Sequence, residues 1–165
     1  MMKRFVILTI MLFVLSSCNS RPSDEINSLH SNLSFGEAKE QGYVVAGPSG
    51  LANVDKMEKF FEDYQNKNKS KITLARYTDE GDPIFVDPEF DGERIVYAYD
   101  NTWDEFGGQD KGVRETTCMQ MGKRSGPRAD QIGTEYYLTS CSEDVGYSDP
   151  EKKEYFLLFV FDKEK

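Results

Sequence analysis

From Lys71 onward the apolar residues recur at every second position, and only one stretch before that point carries the 3.6-residue period of a long amphipathic helix. A chain with one helical stripe and a long series of strands must bury most of its apolar surface on a sheet. Ile72, Leu74 and Arg76 alternate with Thr73, Ala75 and Tyr77, and the acidic turn Thr78-Asp79-Glu80-Gly81-Asp82 follows. Segments 84–90 and 93–99 flank Asp91-Gly92, a two-residue hairpin signal. A type I′ turn there sets Phe90 against Glu93, Glu89 against Arg94 and Val86 against Tyr97. Ile84, Val86, Ile95, Tyr97 and Tyr99 then share one face. Segments 113–121 and 135–141 read as the next two strands, joined by a basic, loop-like connection over 122–133 that carries Lys123, Arg124 and Arg128. Tyr155–Phe161 is apolar on both alternating faces, Tyr155, Leu157, Phe159 and Phe161 on one and Phe156, Leu158 and Val160 on the other, so it needs cover on both sides.

The helical stripe is Val54, Met57, Phe60, Phe61 and Tyr64, opposite Asp55, Glu58, Lys59 and Glu62. Asn53 is placed to cap it, with Lys67, Lys69 and Lys71 at its end, where cations suit the helix dipole. Ahead of it, Ser34-Phe35-Gly36-Glu37 fits a capping box for a short helix over 35–41 that Gly42 stops. A strand over 43–46 and the tight turn Gly47-Pro48-Ser49-Gly50 follow. That turn lacks the Gly-Lys-Ser/Thr ending of a phosphate cradle. The expected architecture is α+β: one main amphipathic helix packed on a mostly antiparallel sheet of about six or seven strands.

The N-terminus sets where such a domain works. Lys3 and Arg4 precede the apolar run 5–15, which is too short to span a bilayer, since that takes roughly 20 apolar residues. Leu15-Ser16-Ser17-Cys18 follows, a pattern similar to the lipobox of bacterial lipoproteins, whose cysteine becomes a diacylglyceryl-modified N-terminus. The expected organisation is a signal peptide over 1–17, a lipidated Cys18 and flexible tether over 18–33, and one domain over 34–165. Loss of Lys3 and Arg4 makes the formal charge of -9 more negative by two. So acidic a domain is repelled by nucleic acid and anionic headgroups, leaving acyl chains, palmitate among them, to hold it on the extracytoplasmic face of the cell membrane.

With Cys18 assigned to lipid, Cys118 and Cys141 remain as an even pair in an exported chain. A disulfide is the plain expectation. A metal site lacks a third ligand, and a redox pair usually sits closer, as Cys-x-x-Cys. If the two strands that carry them pair antiparallel with Cys118 opposite Cys141, Gln120 faces Thr139 and the bond is a cross-strand staple.

Candidate site residues are few. His30, the only histidine, falls in the tether and is poorly placed for a general base. Asp87-Pro88-Glu89-Phe90-Asp91-Gly92 imitates the start of a calcium loop. Arg94 and Ala98, however, occupy positions that need an aliphatic residue and a bidentate carboxylate, so neither metal nor cofactor is expected. Trp103 and Phe106 lie with Asp100 and Asn101 in a loop rich in acids and glycines. Exposed, they form a partner-binding surface; folded back, they cap the edge of the core. Asp79, Glu80 and Asp82 are a possible acidic site.

The succession Arg76-Tyr77-Thr78-Asp79-Glu80-Gly81-Asp82-Pro83-Ile84, Tyr99-Asp100-Asn101, Phe106-Gly107-Gly108, Thr117-Cys118 and Tyr137-Leu138 with Cys141 resembles small lipoproteins of Gram-positive spore-forming bacilli. That family carries the label domain of unknown function 4362. The resemblance implies envelope localisation and the cysteine pair, and it implies no activity. The expected function is a non-enzymatic binding module for a protein or envelope component. The alternative is an envelope hydrolase that works through carboxylates such as Asp79, Glu80, Asp82 and Asp100.

Overall fold

The structure is a computed structural model and describes residues 28–108 and 111–162. The expected signal peptide, Cys18 and the tether as far as residue 27 lie outside the described residues. The described chain runs α1 (Phe35–Glu40), β1 (Val44–Gly47), β2 (Gly50–Ala52), α2 (Asp55–Gln65), β3 (Ser70–Lys71), β4 (Leu74–Tyr77), β5 (Pro83–Phe90), β6 (Ile95–Asp100), β7 (Val113–Arg128), β8 (Gln131–Cys141) and β9 (Tyr155–Phe161). All nine strands join one sheet in the order β2-β1-β4-β5-β6-β7-β8-β9, with β3 added beside β5. The fold is therefore mostly β rather than evenly α+β, and has more strands than the six or seven expected. β1 and β4 run parallel, with α2 in the connection between them, and the other pairs are antiparallel.

The sheet curls. Tyr97 on β6 and Tyr155 on β9 are three strands apart in the order, roughly 14 Å in a flat sheet, yet their rings stack with centroids 4.7 Å apart. Arg76 on β4 likewise donates from Nη1 to the Phe156 carbonyl of β9 at 3.3 Å. The concave face holds the larger core, with Leu74, Val86, Phe90, Ile95, Tyr97, Leu138 and Leu157 among its members. Helix α2 covers one end of it through Met57 and Phe60, both fully buried, with Phe61 and Tyr64 packed alongside. Each such apolar side chain contributes about 1.5–3 kcal/mol when fully buried. Glu58 fastens the helix to the sheet by accepting from the Tyr136 hydroxyl and from Lys123 Nζ. Burial and that hydrogen bond push the Tyr136 phenol pKa up. The convex face carries a smaller cluster of Val45, Ala75 and Phe85 under Ala38 of α1.

Several sequence expectations change in register. The hairpin between β5 and β6 pairs Phe90 with Ile95, Glu89 with Val96 and Val86 with Tyr99. Asp91 Oδ1 accepts the amides of both Glu93 and Arg94, each at 2.9 Å, so its side chain builds a four-residue turn in place of the two-residue one. The slip is two residues, which keeps Val86, Ile95, Tyr97 and Tyr99 on one face. The basic connection over 122–133 is mostly strand: β7 and β8 pair as far as Arg128 with Gln131. Gly122 makes part of this ladder possible, because the Tyr137 ring lies where a Cβ would stand.

In β9 a bulge pairs Tyr136 with Leu158 but Tyr137 with Phe156. Leu157 and Leu158 consequently both enter the core, and the strand does not alternate as expected. Asn53 does not cap α2. Its φ is 55°, its amide donates to the Lys39 and Tyr43 carbonyls, and the helix starts after Val54 without a side-chain cap. The last turn of α2 also carries no cation. Ser34 forms the expected capping box, Gln41 and Gly42 end α1, and Gly47 pairs with Gly50 across the expected turn.

Candidate functional site

The β7–β8 ladder brings Cys118 opposite Cys141, and the two form a disulfide. Gln120 faces Thr139, as the cross-strand staple requires. Cys118 is fully buried, so the bond belongs to the concave core.

The convex face shows what the segment before α1 does. The tether was expected to run free to residue 33, but its described part, 28–33, is docked. His30 Nε2 lies 2.7 Å from Asp87 Oδ2, and its ring stacks on Phe85 with centroids 4.4 Å apart. Thr73 Oγ1 donates to the other oxygen of Asp87. Tyr77 donates its hydroxyl to the Leu33 carbonyl at 2.8 Å. Asp87 is thus an inward-held residue of β5 and not part of a calcium loop.

Asp100, at the end of β6, is fully buried beneath this strap. Its Oδ2 accepts from Ser28 Oγ at 2.7 Å and the Leu29 amide at 2.8 Å, and its Oδ1 accepts from the Thr102 amide at 3.0 Å. Burial alone raises its pKa, but hydrogen bonds from Thr102, Ser28 and Leu29 outweigh it and hold the carboxyl below its usual value. Asn101 Oδ1 accepts the Gly112 amide and closes the base of the loop.

Trp103 and Phe106 separate. Trp103 Nε1 donates to the His30 carbonyl at 2.8 Å and to Ser28 Oγ at 3.0 Å, and its ring packs on the convex cluster. Phe106 is 74% exposed. The loop therefore holds one aromatic as a cap over the strap and offers the other to solvent. Asp79 and Glu80 lie exposed on their turn, whereas Asp82 Oδ2 accepts the Glu105 amide at 2.8 Å and ties that turn to the Trp103 loop. Asp100 has its two oxygens occupied by three protein donors, which leaves it poorly presented to a substrate.

Two surface cavities flank β9. One of about 390 Å³ is lined by Arg124, Arg128, Glu135, Tyr137, Glu154 and Phe156. Arg124 is committed there, with Nε at 2.9 Å from Glu135 and Nη1 at 2.9 Å from Glu154. The other, of about 330 Å³, lies along the seam where β1 and β2 approach β9 and includes Leu51, Arg76, Tyr77, Arg128 and Phe159.

Composition and spacing did not single out the concave end away from α2. There, Leu74, Val86, Tyr99 and Arg114 form one row across β4, β5, β6 and β7, with Arg76 one step along β4 on the same face. The Arg114 guanidinium stands 4.9 Å from the centroid of the Tyr99 ring and that of Arg76 stands 6.0 Å from it. The only legible signal was an arginine, Arg76, between the apolar neighbours Ala75 and Tyr77. Among the described residues, no three His, Cys, Asp or Glu side chains gather as a metal would need, and no helix is long and apolar enough to cross a membrane.

Neither the curated proteins nor the solved structures gave a match to the chain. A family model matches residues 41–132, a span that takes in α2, the strands from β1 to β7 and the start of β8, together with Arg76, Tyr99, Asp100, Arg114 and Cys118. Since that match covers more than half of the sequence, the chain belongs to the family described as Domain of unknown function (DUF4362).

Proposed function

We propose that this chain is an extracytoplasmic lipoprotein of a Gram-positive cell envelope. In this proposal a diacylglyceryl group on Cys18 holds it at the membrane, and it acts as a non-enzymatic binding module for a protein or envelope component. The observation that carries this reading is the disulfide between Cys118 and Cys141. It consumes the two thiols other than Cys18, and such bonds persist in oxidising compartments outside the cytoplasm. The apolar run 5–15 followed by Leu15-Ser16-Ser17-Cys18 supplies the route of export. In such a module α2 is the main helix, closing one end of the curled sheet. The other end of the sheet and the loop bearing Phe106 remain as surfaces for a ligand.

Fractionation of cells grown with an alkyne-bearing fatty acid tests anchoring. The unaltered chain is expected in the membrane fraction carrying the label, and Cys18→Ala is expected to lose both. A Cys18→Ala chain that keeps the label and the membrane location contradicts the assignment.

A further inference from the structure

We infer that Arg76, Arg114 and Tyr99 form a binding site, at the end of the concave face away from α2, for the phosphate group of a small ester or diester. The observations begin with unspent donors. Arg114 makes no hydrogen bond among the described residues, and its Nε is buried without a partner. Arg76 uses Nη1 on the Phe156 carbonyl, and no carboxylate of the described residues lies within ion-pair distance of either guanidinium. By contrast, Arg124, on the same sheet, is held by two glutamates. An uncompensated buried cationic donor is costly, so such groups are retained where a ligand completes them.

The direction of approach selects the ligand. Tyr99 stands on β6, Arg114 reaches it from β7 on one side, and Arg76 reaches it from β4 on the other. The ring stands between the two guanidinium groups, so an acceptor that reaches both lies at its hydroxyl end and must offer oxygens in two directions. A tetrahedral phosphate does so, whereas a carboxylate presents both oxygens along one edge. The Tyr99 hydroxyl has no partner among the described residues and can donate to a third oxygen. Burial pushes the Tyr97 phenol beside the site up to about 12, and the charges of Arg76 and Arg114 oppose that shift. In a chain of net charge -9 this is a local reversal of sign. The same net charge opposes approach to a sheet of anionic headgroups, which favours a small ester free of the lipid surface. The site goes beyond the anchoring proposal and does not depend on it.

The test uses the full chain carrying Cys18→Ala, so that no acyl group contributes. Calorimetric titration at low salt with inorganic phosphate, glycerol 3-phosphate and propionate forms the first arm. Flotation with vesicles of phosphatidylglycerol and phosphatidylcholine forms the second. Saturable binding of glycerol 3-phosphate is expected, with propionate unable to displace it. Arg114→Gln and Arg76→Gln are each expected to weaken binding at least tenfold, and Arg94→Gln, paired with Asp91 on the exposed turn between β5 and β6, to leave it unchanged. Tyr99→Phe keeps the ring and the fold, and is expected to weaken binding severalfold with an unchanged melting temperature. It carries the test if an arginine variant does not fold. Binding in the vesicle arm alone assigns the phosphate to a headgroup, and binding in solution assigns it to a free ester. Absence of binding in both arms, equal binding of propionate, or binding lost in Arg94→Gln but kept in Arg114→Gln overturns the site. None of these outcomes touches the attachment of Cys18.

Discussion

His30 Nε2 lies 2.7 Å from Asp87 Oδ2, and this contact, with those of Asp100, Trp103 and Tyr77, fastens the N-terminal strap to the sheet. Both side chains are largely shielded from solvent, and the imidazole also stacks on Phe85. The segment leading from the proposed anchor therefore enters the domain at a fixed point.

His30→Ala leaves Asp87 buried with Thr73 as its remaining side-chain donor. Loss of one partner from a shielded hydrogen-bonded pair costs about 1–3 kcal/mol. Urea unfolding is expected to show a stability lower by that amount, and hydrogen exchange is expected to rise at 28–33. Unchanged exchange in that segment contradicts the docking.

Asp100 gives the fold an acid-side dependence. Its pKa is lowered in the folded chain, since its hydrogen bonds outweigh the opposing effect of burial. A depressed folded pKa contributes stability that is fully present above the unfolded value, about 3.9, and is lost as pH falls through the folded value. Stability is thus expected to hold from neutral pH to about pH 5 and to decline below pH 4. In Asp100→Asn, urea midpoints measured across the same range are expected to be lower at neutral pH and to fall less steeply in acid. An equally steep acid fall in the variant assigns the effect to other carboxyls.

Trp103 and Phe106 are expected to respond differently to truncation. Trp103→Ala removes two hydrogen bonds and a packed ring, an expected loss of about 2–3 kcal/mol. Phe106→Ala, at 74% exposure, is expected to stay within about 0.5 kcal/mol of the parent. Paired urea titrations separate the two, and equal losses would contradict the split of the loop into cap and exposed tip.

Reduction of the Cys118–Cys141 bond releases a loop spanning a sequence separation of 23. In the chain-entropy description this costs roughly 3 kcal/mol. The expected readout is a lower urea midpoint in reductant. Alkylation of the unreduced chain is expected to leave Cys118 and Cys141 unmodified.

What was legible in the sequence was whatever depends on near neighbours or on strict period. The capping box at Ser34 and the buried stripe of α2 follow from spacing alone, and the pairing of Cys118 with Cys141 follows from their being the two cysteines left once Cys18 is set aside. The turn at Asp91 was misjudged because its side chain, by accepting two amides, outcompetes the two-residue turn that Asp-Gly suggests. The segment over 122–133 looked like a loop because its residues are polar, yet a strand can project beyond the core when its partner supplies the ladder. The bulge at Leu157, the docking of His30 and the meeting of Arg76 with Arg114 over Tyr99 depend on how the sheet curls. No local pattern encodes that curl, so the concave site could not be assembled from one strand at a time.

Anchoring is tested most directly by the intact mass of the chain extracted from membranes, followed by fragmentation of its N-terminal peptide. The expected product begins at Cys18, carries a diacylglyceryl thioether there, and is two hydrogens lighter for the bond between Cys118 and Cys141. A chain that retains residues 1–17, or begins at an unmodified residue other than Cys18, contradicts lipid attachment.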